Sequence, residues 1–340
     1  MTRAPLSRTK SGPGDYAAAG SREKAGASRL GRADVARLRR TPLRSRRSKV
    51  SLRGFAAPVA KGMSFARFLE GLPGYFAAED FRAVVAAVAR AKERGAPVLL
   101  GIGAHFIKVG LSPLLVQGLR RGLFDGVAMN GAGAIHDVEL ALAGKTSEDV
   151  EAGLADGSFG MAKETARFIH AAVAAGIADG LGFGGAVGRA IAASAAPHGR
   201  VSVLAEAHRL GVPATVHVCI GADIVHMHPE CDGAATGEAS LRDFRRFCDL
   251  VYGLQGGVYL NVGSAVVLPE VFLKAVAIAR NLGRPLSRIT TANMDFIRQY
   301  RPDRNVVVRP AQAGGKGYHL IGPHEILFPL LMAAVAERLW

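Results

Sequence analysis

The chain of 340 residues has no apolar run long enough to span a membrane, which favours a soluble protein. Cysteine is scarce, and Cys219, Cys231 and Cys248 are odd in number and confined to one third of the sequence. This pattern argues against a disulfide framework and favours a reducing, cytoplasmic location. With 49% hydrophobic residues, the chain is long enough to bury a large core.

Excess positive charge is scarce beyond the first fifty residues. Residues 1–50 hold 14 Lys or Arg against 3 Asp or Glu, whereas residues 51–340 hold 29 against 25. The basic segment lacks apolar periodicity, so we predict a disordered N-terminal extension over 1–50 and a single α/β domain over 51–340. The extension is a transit-like presequence, a tail for nucleic acid or an anionic membrane, or an upstream extension of the reading frame without a role. We favour the last, because its arginines are scattered without aromatics, and we expect neither nucleic acid nor a membrane as partner.

Residues 97–143 alternate twice between an apolar run and a glycine-rich turn. The run 97–100 breaks at Gly101-Ile102-Gly103-Ala104-His105, and the run 127–130 breaks at Gly131-Ala132-Gly133-Ala134 before a helix predicted over 136–143. In a parallel sheet, two such turns meet at the carboxyl edge, where the phosphates of a dinucleotide bind. Neither turn completes the G-x-G-x-x-G fingerprint, because positions 106 and 136 are Phe and His.

The remaining body continues the same alternation. Strands are predicted at 214–220, 257–261, 289–293 and 305–308, helices at 146–179 with a break at 158–160, and a glycine loop at 180–185. The fold class is therefore α/β, Rossmann-like, with a mostly parallel sheet and helices on both faces.

Two motifs carry chemical side chains next to predicted strand ends. His136-Asp137 is a general base with its orienting carboxylate, or Asp137 caps the helix and binds a ribose hydroxyl, or the pair is a plain helix start. Asn293 and Asp295, just after Thr291-Ala292, lie at a third strand end and are placed to touch the adenosine or the substrate.

The tract 217–232 has the highest density of reactive side chains. His226 and His228 would share one face of an extended segment, where Cys231 and His217 could complete a zinc site. In the alternative interpretation no metal is bound, and Asp223 and His226 line a substrate pocket.

Gly314-Gly315-Lys316-Gly317 is typical of a mobile loop with one cation. It would clamp phosphates or present a nucleophile, or it is only a flexible surface loop.

Across most of residues 95–340, the order of these motifs resembles that of the deoxyhypusine synthase family. The resemblance rests on collinear segments at 100–110, 131–134, 204–213, 259–264, 291–292 and 327–331. It implies a Rossmann-like subunit in a homotetramer with sites between subunits, NAD as cofactor, hydride transfer from an amine, and an imine on a lysine. On this basis we expect cofactor contacts from Gly103, Ala104, His105, Lys108, Gly131, Ala132, Gly133, Asp137, Gly263, Ser264, Thr291 and Ala292.

The chain departs from the family where the substrate would be held. The family has Val-Glu-Glu-Asp where this sequence has Ile135-His136-Asp137, and its catalytic histidine has no counterpart near Gly263. The nucleophilic lysine is matched by Lys316 through a gap, with Lys108 as a second candidate. A polycation held by fewer carboxylates would bind weakly.

We therefore predict an NAD-dependent enzyme, a transferase or related carbon–nitrogen chemistry, that acts on a small amine or amino acid rather than in deoxyhypusine synthesis. Its predicted catalytic residues are Lys316, His136, Asp137, Asp223 and His226. The alternatives are a metal-dependent hydrolase or lyase on His226, His228 and Cys231, and a non-catalytic nucleotide-binding protein.

Overall fold

The computed structural model describes residues 35–340 of the chain, so most of the predicted N-terminal extension lies outside the described residues. By their contacts the residues divide into two units, Met1–Ser51 and Leu52–Trp340. The described part of the first unit is exposed and has one short 3₁₀ turn, Leu43–Ser45. The second unit contains the sheet.

The sheet has six strands in the order β3-β2-β1-β4-β5-β6, and every neighbouring pair is parallel. Short, almost wholly buried apolar strands are typical of a parallel sheet covered on both faces. The strands are β1 (Val98–Ile102), β2 (Gly126–Asn130), β3 (Ala214–His217), β4 (Val258–Val262), β5 (Thr290–Asp295) and β6 (Lys316–Ile321). The predicted α/β class with a parallel sheet is confirmed.

Helices connect the strands. They are α1 (Phe65–Gly71), α2 (Phe76–Glu93), α3 (Ala104–Lys108), α4 (Ser112–Arg120), α5 (Gly131–Ala143), α6 (Val150–Asp156), α7 (Lys163–Ala178), α8 (Phe183–Ala193), α9 (Val203–Arg209), α10 (Gly233–Tyr252), α11 (Val267–Asn281) and α12 (His324–Leu339). A tract between β5 and β6 is also helical, as Tyr300–Pro302, the π-helix Asp303–Val308 and Arg309–Ala311.

Two hydrophobic cores lie on opposite faces of the sheet. Successive residues of β1 alternate between them: Leu100 belongs to the core that includes α2, α4 and α12, while Leu99 belongs to the core that includes α10 and α11. This alternation follows from the two-residue period of a strand. It confirms the prediction of helices on both faces.

Three local predictions are wrong. The predicted strand at 305–308 is π-helical, because Val306 and Val307 pack into the α10–α11 core and Thr291 Oγ1 donates a hydrogen bond to the Val306 carbonyl, 2.7 Å away. The sixth strand starts instead at Lys316, within the predicted mobile glycine loop. The glycine loop predicted at 180–185 ends earlier, since α8 already begins at Phe183.

Within the described part of the chain, no single helix is long and apolar enough to cross a membrane. Helices α7 and α8 meet the criteria of length and composition only as a pair, and they are bent by 112° where they join.

Candidate functional site

The carboxyl ends of β1 and β4 meet where the order of the strands reverses. In open α/β sheets this reversal is where ligands bind. Gly103 follows β1 and Gly263 follows β4, and the Gly103 amide donates a hydrogen bond to the Val262 carbonyl at 2.9 Å. A Cβ atom on Gly103 would lie 2.0 Å from the Gly263 carbonyl oxygen, so only glycine allows the two loops this close.

Titratable side chains gather beside these loops. Asp295 is the last residue of β5, and its Oδ1 lies 3.6 Å from Nε2 of His324, the first residue of α12. The His105 ring, just after β1, meets the His324 ring edge-on with centroids 5.6 Å apart. We call these three residues the His105–Asp295–His324 cluster.

Burial controls the electrostatics of this cluster. Asp295 and His324 are 2% and 1% exposed, whereas His105 is exposed. Burial raises the pKa of Asp295, an effect opposed by the Phe296 amide and the neighbouring histidines. Burial lowers the pKa of His324, opposed in part by the Asp295 carboxylate. Nε2 of His324 is buried and has no hydrogen-bond partner among the described residues, and the Asp295 carboxylate is the charged group beside it.

Within residues 35–340, one group of side chains could hold a metal ion. The ligand atoms of His105, His324 and Glu325 all lie within 4.8 Å of one another. Two histidines and a carboxylate are a known zinc-binding set. The metal group therefore overlaps the His105–Asp295–His324 cluster.

The zinc ligands predicted from the sequence are not part of that group, and their side chains turn to separate partners. Nε2 of His217 lies 3.1 Å from Thr215 Oγ1, and burial lowers the pKa of His217 to about 3. Nε2 of His228 lies 2.8 Å from the Gly160 carbonyl, and Nδ1 of His226 accepts from the Gly221 amide. Cys231 is a half-buried free thiol. The predicted zinc site assumed an extended segment, but Ile224–Met227 form a 3₁₀ turn, and the four predicted ligands do not come together.

The second glycine turn differs from the prediction, because Gly131–Gly133 form the first turn of α5. Asn130 Oδ1 accepts from the Gly133 amide at 3.1 Å, and the Asp223 carboxylate accepts from the Ala132 amide. A Cβ on Gly131 would lie 2.1 Å from Asp223 Oδ2. Protein side chains thus cap the amides expected to hold a phosphate, and a carboxylate occupies the position of an anion. The prediction that both glycine turns bind the phosphates of one dinucleotide does not fit the second turn.

Asp223 and His226 lie together beside the start of α5. Asp223 is buried and also accepts from the Cys219 amide at 3.2 Å, while the His226 amide donates to the Asp223 carbonyl. Burial raises the pKa of Asp223. Nε2 of His226 is buried without a partner among the described residues. The structure therefore brings together this pair of predicted site residues, at the carboxyl end of β2.

His136 and Asp137 do not form the predicted dyad. Asp137 is buried and accepts from Ser202 Oγ at 2.6 Å and from the Val203 amide at 2.8 Å, so it caps the start of α9. Burial raises its pKa to about 6. Nδ1 of His136 lies 2.6 Å from Thr146 Oγ1, which donates to Glu139. Consecutive positions on a helix point in different directions, which separates the two side chains.

Lys316, Thr291 and Ala292 lie away from the carboxyl edge. Lys316 opens β6 at the amino edge and pairs with Thr290, so the far end of its strand is about 17 Å away at about 3.3 Å per residue. Thr291 and Ala292 are fully buried within β5. Lys108 is exposed and is the last residue of α3, the short helix that follows β1. Lys316 and the cluster cannot share one site within a single chain.

The sequence reasoning missed His324 and Glu325. The sequence did contain a signal for them. Tyr318–Ile321 is followed by Gly322-Pro323, a pair that typically ends a strand before a helix begins. Treating Gly314–Gly317 as a loop hid that strand and with it the position of His324 at a strand end.

No protein-family model and no curated protein matches the chain. Similar solved structures include a conserved candidate LOR/SDH protein from Methanococcus maripaludis, with 16% identity, a TM-score of 0.47, and coverage of 77% of this chain and 70% of that one. Another is the cyanobacterial arginine dihydrolase ArgZ, with 14% identity, a TM-score of 0.48, and coverage of 78% and 34%. A candidate deoxyhypusine synthase from Entamoeba histolytica has 9% identity, a TM-score of 0.47, and coverage of 82% and 95%. The chain thus spans about a third of the length of ArgZ.

Proposed function

We propose that the chain is an NAD-dependent enzyme acting on a small amine or amino acid, with the His105–Asp295–His324 cluster in proton transfer. The observation that carries the proposal is the buried pair of His324 and Asp295, whose Nε2 and Oδ1 lie 3.6 Å apart at the ligand-binding edge of the sheet, with no described residue hydrogen-bonded to that Nε2. Perturbed, buried acid–base pairs in such a position are typical of active sites.

The side chains of the cluster have distinct roles in this proposal. Because burial lowers the pKa of His324, its Nε2 is unprotonated near neutral pH and accepts a proton from a substrate ammonium. The Asp295 carboxylate then stabilises the imidazolium, and exposed His105 passes the proton to solvent. The carboxylates of Asp295 and Glu325 favour a cationic amine over an anionic substrate.

NAD is the cofactor that the family resemblance implies, and it would supply a hydride acceptor. Ala104 and Ser264, which follow the two touching glycines at the reversal point, would hold it. The Gly103 amide would not, because it already donates to the Val262 carbonyl, and Gly131–Gly133 would not, because Asn130 and Asp223 cap that turn. A lysine imine is left out of the proposal, since Lys316 opens β6 at the other edge. A homotetramer, a transferase reaction and a cytoplasmic location stay predictions from the sequence.

The direct test compares His324→Asn with His208→Asn, which replaces an exposed histidine on α9. NAD binding is measured by calorimetry, and NADH formation is followed over a panel of diamines and basic amino acids. We expect wild type and the His208 variant to bind NAD and reduce it with at least one substrate, and the His324 variant to bind NAD with at least about 100-fold lower turnover, the usual weight of general base catalysis. Equal turnover in all three proteins, or no NAD binding by wild type, would contradict the proposal.

A second candidate is a metal-dependent hydrolase or lyase, favoured by the grouping of His105, His324 and Glu325 within 4.8 Å. Metal analysis after dialysis against zinc distinguishes the candidates. Stoichiometric zinc, lost in His105→Asn/Glu325→Gln and kept in His208→Asn, together with no response to NAD, would favour the metal enzyme.

A further inference from the structure

Four cationic side chains line one cavity at the amino edge of the sheet, opposite the His105–Asp295–His324 cluster. Arg90 and Arg94 come from the last turn of α2 and its C-cap, Arg288 precedes β5, and Lys316 opens β6. The cavity has a volume of about 450 Å³. It contains the lysine that the sequence reasoning singled out as a nucleophile.

Across residues 35–340, no side chain neutralises these charges. None of the four side chains forms an ion pair or a side-chain hydrogen bond with a described residue, and no described residue lining the cavity is acidic. Lys92, on the same helix, behaves differently and pairs with Asp125 at 2.9 Å. Like charges around one concave surface repel one another and focus a positive potential, which an anion would relieve.

Side chains, not backbone amides, would hold that anion. The amides of Gly314, Gly315 and Lys316 already donate to the carbonyls of Ala311 and Ile289. Gln255 also lines the cavity, and its Nε2 donates to Ser287 Oγ at 3.3 Å. The cavity therefore offers four exposed cations and no acidic side chain among its described lining residues, which suits an anion.

We propose that this cavity binds a small polyanion with two or more phosphate groups, at a site separate from the carboxyl edge. A phosphate monoester carries about −1.5 to −2 charges at neutral pH, so two phosphates balance four cations. The volume is that of a small-molecule site, and the cations surround one cavity instead of forming a stripe, which favours a small ligand over nucleic acid. The proposal does not depend on the NAD-dependent reaction.

The test measures binding of pyrophosphate, tripolyphosphate and inorganic phosphate to the full chain by calorimetry and thermal shift at low and physiological salt. We compare Lys316→Gln and the double variant Arg288→Gln/Lys316→Gln with Arg245→Gln, which removes an exposed cation from α10. We expect tripolyphosphate to bind more tightly than phosphate, with affinity about tenfold lower in the single variant, about 100-fold lower in the double variant and unchanged in the control, because charge-assisted hydrogen bonds are strong.

A second readout separates loss of the site from loss of the fold. Removing a cation relieves repulsion, so the ligand-free melting temperature of both cavity variants should equal or exceed that of wild type. Equal polyphosphate affinity in all proteins would overturn the proposal. So would a single-stranded oligonucleotide that outcompetes tripolyphosphate, because the basic surface would then serve nucleic acid.

Discussion

The Asp295 carboxylate lies 3.6 Å from Nε2 of His324, which forms no hydrogen bond with a described residue, and both side chains are almost completely buried. Asp295 ends β5 and His324 begins the helix after β6, so two neighbouring parallel strands deliver the pair to one edge. Unpaired buried polar atoms are costly, and they persist where a ligand completes them.

Replacing Asp295 by Asn tests whether the carboxylate charge matters. Asn keeps the size of the side chain and an acceptor for the Phe296 amide, but it no longer stabilises an imidazolium at His324. We expect turnover to fall at least about tenfold while the melting temperature changes little, since a nearby charge contributes more than 1 kcal/mol at such a distance. Steady-state kinetics check this, and unchanged turnover would show that the pair is only structural.

Asp137→Ala tests the assignment of Asp137 as a helix cap. The change leaves the Ser202 hydroxyl and the Val203 and Leu204 amides without their acceptor, so we expect a loss of about 1–3 kcal/mol in the free energy of unfolding. Turnover per folded molecule should be unchanged. Urea unfolding and kinetics measure the two effects, and lost turnover in a stable variant would restore Asp137 to the catalytic set.

Gly103→Ala tests the close approach of the two loops. The new Cβ would meet the Gly263 backbone, which cannot rotate away, so we expect destabilisation of about 1–3 kcal/mol. The matched control is Gly237→Ala in α10, where a Cβ meets nothing within 4 Å and should stabilise by about 0.5–1 kcal/mol. Thermal unfolding gives both values. Equal effects of the two substitutions would mean that the loops are not in contact.

Asp243 makes stability depend on pH. It is buried, accepts from the Gly184 and Val216 amides at 2.7 Å each, and burial raises its pKa from 3.8 to about 7. The folded state therefore holds this proton more tightly than the unfolded state, and the resulting stability is complete below pH 3.8 and lost as the pH rises through about 7.

The Asn side chain of Asp243→Asn cannot ionise. The free energy of unfolding of this variant should therefore fall less between pH 5 and pH 8 than that of wild type, by on the order of a few kcal/mol. Exposed Asp249 on the same helix provides the control, Asp249→Asn. Urea unfolding at both pH values is the measurement. A slope as steep in Asp243→Asn as in the control would refute the role given to Asp243.

The fold was largely predictable from local pattern. The apolar runs at 97–100 and 127–130 correspond to β1 and β2, because buried parallel strands are short continuous apolar segments. The same rule failed at 305–308, where the valines are β-branched but their tertiary environment is helical. Only the packed fold reveals that Thr291 holds the Val306 carbonyl.

The site was less predictable, because it depends on which strand ends meet. The sequence placed Gly103, His105 and Asp295 at strand ends correctly, yet it could not show that they surround His324. It also assigned phosphate binding to Gly131, where the Asp223 carboxylate approaches from a distant loop. A glycine that permits close approach of a ligand and one that permits close approach of a side chain have the same local pattern.

The most direct test of the account is a crystal structure of the full chain with NAD and an amine substrate. The account predicts ligand density beside His324 and Asp295 at the carboxyl edge, with no phosphate on the Gly131 turn. A coenzyme bound to Gly131–Gly133 in place of the Asp223 carboxylate, or one bound beside Lys316 with the cluster empty, would contradict it.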